Sequence, residues 1–451
     1  MGDGGAVICS HVLSANAPGR LRPTLGRWAG ACGLLVLAVA WFWFRGLQRS
    51  VGDLHDFRML YAVGRSWLNG VNPYQFEALL EQYRSGGGWV NPDWGPHIFH
   101  ALYPPTSCAL LAPVAALGWS AAMWTLLGVK LALLAAAWVA LAGRPLKLTG
   151  PGAIVLLAAV LVLAPLHSDL AAGQISSVTM ALAVLGLVAV VRGWAVRGGI
   201  LLALAFALKF QVLLLLPLWL LVTRRWRALA AMVAAGVVIA AAAAIPMHLN
   251  TPTWWADMLA NIQAFGHGGF GDPRDGPWAD RLLNLHLPLH GLIHSRLAVN
   301  VIVAAVGLVM LLPIIPAGRA VRGQRHGPTE MLIASLCLVV GLLMVYHRLY
   351  DAVVLIVPIA WSLWALDRWP RLAWTMLGLC VIGFAVPAAP VVDMIERRLP
   401  ADIVASPLWR FSIESVQVWL ALAVGLCIDL ALLRRARWTG ADPAQAERGA
   451  G

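Results

Sequence analysis

Two carboxylates, a histidine and an arginine fall within six residues at Asp53-Leu54-His55-Asp56-Phe57-Arg58, and the segment continues through Met59-Leu60-Tyr61 to Gly70-Val71-Asn72-Pro73-Tyr74. Asp53 and Asp56 are three apart, so they share a face if the segment is helical. A carboxylate beside a like charge and an apolar wall has its charged form disfavoured, which raises its basicity. Such a group suits a general base that takes a proton from a hydroxyl. The same spacing also fits a helix cap or a solvated interfacial pair, so spacing alone leaves both aspartates open. Arg58 and Arg65 could hold a phosphate or rest among lipid headgroups.

Three further clusters have residue types fit for chemistry. His97-Ile98-Phe99-His100 leads through Tyr103 to Pro104-Pro105, where the prolines suit the first turn of a helix. Two histidines at this spacing fall short of the ligands a metal needs, so no metal is expected; His97 and Tyr103 are candidates to face a substrate. His167-Ser168-Asp169 precedes Gly173-Gln174. Here Ser168 or Asp169 could cap the following helix, and Gln174 inside an apolar run requires a partner or a substrate. Lys209 stands at the centre of the apolar run 198–222. An ammonium at that depth faces a cavity or a partner. Last, Tyr346-His347-Arg348-Leu349-Tyr350-Asp351 is the densest polar hexapeptide of the second half. A plain turn would favour Gly, Asn or Pro, so His347, Arg348, Tyr350 and Asp351 are candidates for substrate binding.

The elements that carry these residues are apolar. The chain has 451 residues, 60% hydrophobic and 12% charged, with mean hydropathy +0.76. Soluble domains carry about 25% charged residues, so an all-α polytopic membrane protein is expected. Apolar runs predict about twelve transmembrane helices. The net charge of +12 comes from short basic clusters between apolar runs, the pattern of the positive-inside bias, and does not point to nucleic acid. Putting Arg224-Arg225-Trp226-Arg227, Arg319/Arg322/Arg325 and Arg434/Arg435/Arg437 in the cytoplasm places both termini inside and two large loops, about 48–105 and 248–296, outside. Arg144/Lys147 and Arg192/Arg197 resist this scheme, and 198–222 could be two half-helices meeting at Lys209-Phe210. The organisation expected is a cytoplasmic tail over 1–27, one membrane domain over 28–438 and a polar tail over 439–451. Arg274–Arg296 is expected to form an amphipathic helix that buries Leu282, Leu283, Leu285 and Leu289. Nine of the twelve histidines fall in or beside the outer loops, which makes that face the working one. The six scattered cysteines have no metal-ligand spacing.

In their order, these pieces resemble the GT-C superfamily of polyprenyl-phosphate-sugar-dependent glycosyltransferases, and most closely glycosyltransferase family 87. The matching pieces are Asp56–Tyr61 with Gly70–Tyr74, Tyr103-Pro104-Pro105, Gly173-Gln174, the run from Gly199 to Lys209, the Arg224–Arg227 cluster and His347–Asp351. The family usually carries Val-Tyr where this chain has Met59-Leu60. The resemblance implies a GT-C fold in a bacterial inner membrane, with the active site on the extracytoplasmic side. It implies inverting transfer of a sugar, mannose in close relatives, from a polyprenyl-phosphate donor to a hydroxyl of a lipid or glycan acceptor, with no cofactor. The first-loop base falls on Asp56, with Asp53 as runner-up. The leaving phosphate falls to Arg58, Lys209, His347 and Arg348, with Gln174, Tyr103, His97, Tyr350 and Asp351 around the substrates. The rival reading, a transporter or lipid-linked-sugar flippase, predicts two corresponding halves with matched broken helices, and no such duplication is visible.

Overall fold

The computed structural model describes residues 24–51, 54–88, 100–143, 145–148, 150–274, 276, 278–322 and 327–439. Asp53 and His97 lie outside the described residues. Their regular structure is all helical, with no strand among them beyond an isolated bridge between Leu282 and Arg348. This follows from the solvent: inside lipid a chain must satisfy its own backbone groups, and a helix does so locally.

In chain order, α1 (Leu25–Arg45) is followed by α2 (His55–Leu68), α3 (Phe76–Ser85), α4 (Pro105–Ala115) and α5 (Trp119–Ala142). Next come α6 (Gly150–Leu161), α7 (Ala164–Ala172), α8 (Ser176–Val191), α9 (Ala195–Leu208), α10 (Phe210–Leu213) and α11 (Leu216–Val222). The second half holds α12 (Trp226–Asn250), α13 (Trp254–Gly266), α14 (His286–Leu292), α15 (Arg296–Leu311), α16 (Ile314–Ala320) and α17 (Gly327–Met344). A 3-10 helix over Leu349–Leu355 then leads to α18 (Ile356–Ala365) and α19 (Pro370–Val381). The chain ends in short helices α20 (Ala388–Glu396), α21 (Ala401–Val404) and α22 (Pro407–Trp409) and the long α23 (Val416–Thr439).

Six segments are long and apolar enough to cross a membrane: Leu25–Arg49, Trp119–Ala142, Trp226–Asn250, Arg296–Ala320, Gly327–Met344 and Val416–Arg434. The pair α6 and α7, bent by 52°, adds a seventh if it counts as one span. Several of the twelve expected runs are therefore shorter helices, among them α4, α8, α9 and the segment Leu349–Ala365. The run 198–222 does break at Lys209, whose backbone is extended between α9 and α10. Close approach of α9 to α12 rests on Gly199, where a Cβ would collide with the backbone carbonyl of Ala228.

The centre of the bundle is α17. Of its spanning window 89% is buried, against 17% for α12, so α17 packs against protein on all sides while α12 presents most of its apolar surface outward. Arg274–Arg296 differs from the expected amphipathic helix. It holds a 3-10 turn at Ala279–Arg281, an extended stretch and then α14. The reason is backbone pairing: the N–H groups of Leu283 and Leu285 donate to the carbonyls of His347 and Leu343, at 2.8 and 2.9 Å. Leu282, Leu283 and Leu285 are buried by that pairing, and Leu289 packs beside them.

Candidate active site

Asp56 lies in the first turn of α2, where the helix dipole favours a negative charge. The preceding Leu54 is left-handed, φ 38°, a conformation that costs a branched side chain free energy and collects at functional sites. The helix behind Asp56 is rigidly seated. Phe57 stacks on Trp119 at 5.3 Å, and Tyr61 meets the same ring edge-on at 5.3 Å. The Tyr61 hydroxyl donates to the carbonyls of Gly86 and Leu117, at 3.1 and 2.8 Å. Arg65 donates to the carbonyls of Gln82 and Ala115, at 3.1 and 3.3 Å, so it fastens α2 to its neighbours. The Arg58 side chain is buried on the same helix.

From Asp56 a chain of polar contacts runs inward. The Gln174 side-chain N–H donates to Asp56 Oδ2 at 2.9 Å, and its carbonyl accepts from the Tyr103 hydroxyl at 3.0 Å. Tyr103 is placed in turn by Tyr74, whose hydroxyl donates to the Tyr103 backbone carbonyl at 2.7 Å. Lys209 approaches the same Gln174 carbonyl at 3.5 Å. Because the chain breaks at Lys209, its ammonium leaves the helix axis and reaches Asp351 Oδ1 at 2.6 Å and the Ser176 hydroxyl at 2.8 Å. It also sits 4.5 Å from the centre of the Tyr350 ring, a cation–π contact. Ser176 donates to Asp351 Oδ1 at 2.6 Å.

Beyond Asp351 the contacts run to the end of α17. His347 Nδ1 is 3.0 Å from Asp351 Oδ2. A carboxylate only accepts, so the proton of that bond belongs to Nδ1. The other ring nitrogen, Nε2, is buried with no hydrogen-bond partner among the described residues. Arg348 donates from Nε to the Tyr346 hydroxyl at 2.6 Å and lies 5.0 Å over the Trp278 ring. Burial pushes the Tyr346 phenol above its ordinary range, with Arg348 pulling the other way. Asp56 lies within electrostatic reach of Tyr103, Tyr346, Arg348 and Tyr350.

The residues brought together are thus Asp56, Tyr103, Gln174, Lys209, His347, Arg348, Tyr350 and Asp351, contributed by five separate stretches of chain. Solvent reaches the set at Asp56 and, in part, at Arg348 and Tyr350, while its middle is sealed. The Asp56 side chain is 23% exposed, whereas those of Lys209 and Asp351 are 7% and 2% exposed. A partly open carboxylate, joined by one carboxamide to a sealed ammonium, can take a proton at its open end and steady a negative group deeper in. Among the described residues no group of three or more His, Cys, Asp or Glu is arranged to hold a metal ion.

Sequence reasoning missed Ser176, although a serine two residues from Gln174 in an apolar run carries the same signal. It also missed Trp278, for which no signal exists short of the fold. The largest omission is Lys130. It lies mid-way along a 24-residue apolar helix, the depth argument that singled out Lys209, and its ammonium is 2.9 Å from Asp169. Asp169 also accepts the Ser177 backbone N–H at 3.0 Å, the capping contact expected of it or of Ser168.

The sequence profile of glycosyltransferase family 87 matches residues 101–346. Tyr103, Gln174 and Lys209 fall inside the match. Asp56 precedes it, and His347 follows its last residue. No curated protein matches the chain.

Proposed function

The chain belongs to glycosyltransferase family 87, a family of the GT-C superfamily of membrane glycosyltransferases, and on that premise we propose that it moves a sugar from a polyprenyl-phosphate donor to a hydroxyl of a lipid or glycan acceptor, with inversion. Mannose is the sugar proposed, and the extracytoplasmic face of a bacterial inner membrane is the side. The observation that carries this reading is the Gln174 bridge, which ties the open Asp56 carboxylate to the buried Lys209 ammonium.

In this reading Asp56 accepts the proton of the acceptor hydroxyl. The acceptor oxygen bonds to the anomeric carbon from one side while the bond from that carbon to the phosphate oxygen breaks on the other. The electron pair leaves with the lipid phosphate. A phosphate is already a good leaving group, so the paired acid that glycosidases need has no counterpart here. Negative charge grows on the departing phosphate, and Lys209 and Arg348 are the donors suited to steady it, joined by His347 when Nε2 carries a proton as well as Nδ1. His347 Nε2 has no hydrogen-bond partner among the described residues, because Asp351 engages only Nδ1. Asp351 pairs with Lys209 at a depth where a lone ammonium would be costly. Arg58, Tyr103 and Tyr350 complete the proposed substrate wall, with Asp53 and His97 on the neighbouring stretches as further candidates.

The test is reconstitution. The purified protein in lipid vesicles is given polyprenyl-phosphate mannose or a nucleotide-activated mannose, together with a lipid acceptor fraction. Transfer from the lipid-linked donor alone is expected. Movement of the lipid-linked sugar between leaflets without any transfer would favour a flippase instead.

A further inference from the structure

Lys130 and Asp169 have no role in the transfer proposed above, yet they are among the most completely buried charges of the protein, at 2% and 0% exposure. The Lys130 ammonium on α5 bonds Asp169 twice, at 2.9 Å to Oδ2 and at 3.0 Å to the backbone carbonyl. Asp169 uses the remaining capacity of the same atoms on the next turn of chain. Its Oδ1 accepts the Ser177 backbone N–H at 3.0 Å, and its Oδ2 accepts the Ser177 hydroxyl at 2.6 Å. Its backbone carbonyl accepts the Gln174 N–H at 2.9 Å. One ion pair therefore holds both ends of the turn Gln174–Ser177.

That turn is also pressed against the helix that carries Asp56. Gly173 is left-handed, φ 70°, and a Cβ there would come within 2.5 Å of the Phe57 Cβ. From this one turn Gln174 reaches Asp56 and Ser176 reaches both Lys209 and Asp351. An ion pair sealed from water costs desolvation that apolar side chains of the same volume avoid. What such a pair supplies, and a Leu–Met contact does not, is a fixed hydrogen-bonding register.

We infer that Lys130 and Asp169 are positioning residues, which set the Gln174–Ser177 turn so that its amide meets Asp56 and its hydroxyl meets the Lys209–Asp351 pair. This rests on Asp56 acting as the base. The charged and titratable groups around Asp56 are His55 on its own helix, Tyr103 before α4, Tyr346, Arg348 and Tyr350 beyond α17, Lys209 through Gln174, and Lys130 itself.

The experiment compares wild type with Lys130→Met/Asp169→Asn, which removes both charges and leaves neither buried alone, and with Lys130→Arg. Steady-state transfer is measured per folded molecule across pH, and hydrogen exchange is followed over residues 170–180. The double variant is expected to lose kcat by about tenfold to a hundredfold, the scale of a small misplacement, with the donor KM within about threefold. Its acid limb moves to higher pH, because a carboxylate that loses an N–H donor holds its proton more tightly. The Gln174 and Ser177 amides exchange faster, and Lys130→Arg keeps more of kcat than the double variant. The inference is overturned if the double variant keeps wild-type kcat and exchange. It is also overturned if activity falls only with the folded fraction and the acid limb stays in place. Asp56→Asn, run alongside, separates the two claims. Wild-type transfer by that variant removes the base and this inference together, whereas an inactive Asp56→Asn beside an unaffected double variant removes this inference alone.

Discussion

The central helix α17 is fastened by a buried ion pair at each end, and the two ends differ in what they leave unspent. At its start, Glu330 is fully buried and both its oxygens receive the guanidinium of Arg225, one at 3.0 Å from Nε and the other from the second nitrogen. That fork ties α17 to the start of α12. Just past the other end, Asp351 receives Lys209, Ser176 and His347, and the set continues through Gln174 to a carboxylate that solvent can reach. His347 Nε2 stays buried without a partner among the described residues. Charge burial alone does not mark a reactive site. Polar capacity left over after the fold is satisfied, together with an opening, does.

Substitutions should separate the two ends. The largest effect on turnover among them is expected of Lys209→Met, which removes the ammonium and strands Asp351. Loss of a preorganised donor to a leaving group costs about a hundredfold to a thousandfold in kcat, measured as product formed per folded molecule. Next is His347→Gln, which keeps a polar side chain near Asp351 but changes the group offered at Nε2; about tenfold to a hundredfold in kcat/KM is expected, with thermal stability close to wild type. Retention of full kcat/KM by that variant would detach His347 from the phosphate.

At the opposite end Arg225→Met leaves Glu330 charged and alone. Breaking a buried pair in this way costs about 3–5 kcal/mol, seen as a lowered unfolding midpoint in detergent, while turnover per folded molecule is unchanged. A specific loss of turnover there would erase the contrast between the ends. The smallest effect belongs to the loop around Asp272, which Arg296 pairs with. Burial raises the Asp272 carboxyl, but the N–H groups of Arg274 and Gly268 and the charges of Arg296 and Arg274 outweigh it and hold it below the usual carboxylate range. A group depressed on folding contributes above its unfolded pKa of about 3.9 and loses that contribution as pH falls through the folded value. Hydrogen exchange over 268–274 should therefore accelerate, relative to the core, only below about pH 4, and Asp272→Asn should remove that dependence.

How much of this could be read from residues alone varies by element. Lys209 and the hexapeptide 346–351 were legible because charge in an apolar run violates the cost of burial and has to be explained. The break of the helix at Lys209 followed from the same violation. The centrality of α17 was not legible, since a helix buried by protein and one buried by lipid carry the same apolar residues. The loop before α15 was misread as a helix because its leucines are spaced for one, and only the fold supplies the carbonyls of Leu343 and His347 that pair with it. Gln174 was legible as a polar residue in want of a partner, but its partner lies 118 residues away in sequence. The aspartate pair in the first loop could not be resolved by spacing. The resemblance is what favours Asp56, which Gln174 contacts, and Asp53 lies outside the described residues.

The most direct test of the account is a single-turnover comparison of wild type and Asp56→Asn, with saturating polyprenyl-phosphate mannose and acceptor and with donor binding measured on the same samples. The account predicts that Asp56→Asn binds donor within about threefold of wild type, as expected when only a transition-state interaction is lost. It predicts transfer slower by about a thousandfold or more, the scale of a lost general base. A single-turnover rate equal to wild type would contradict it.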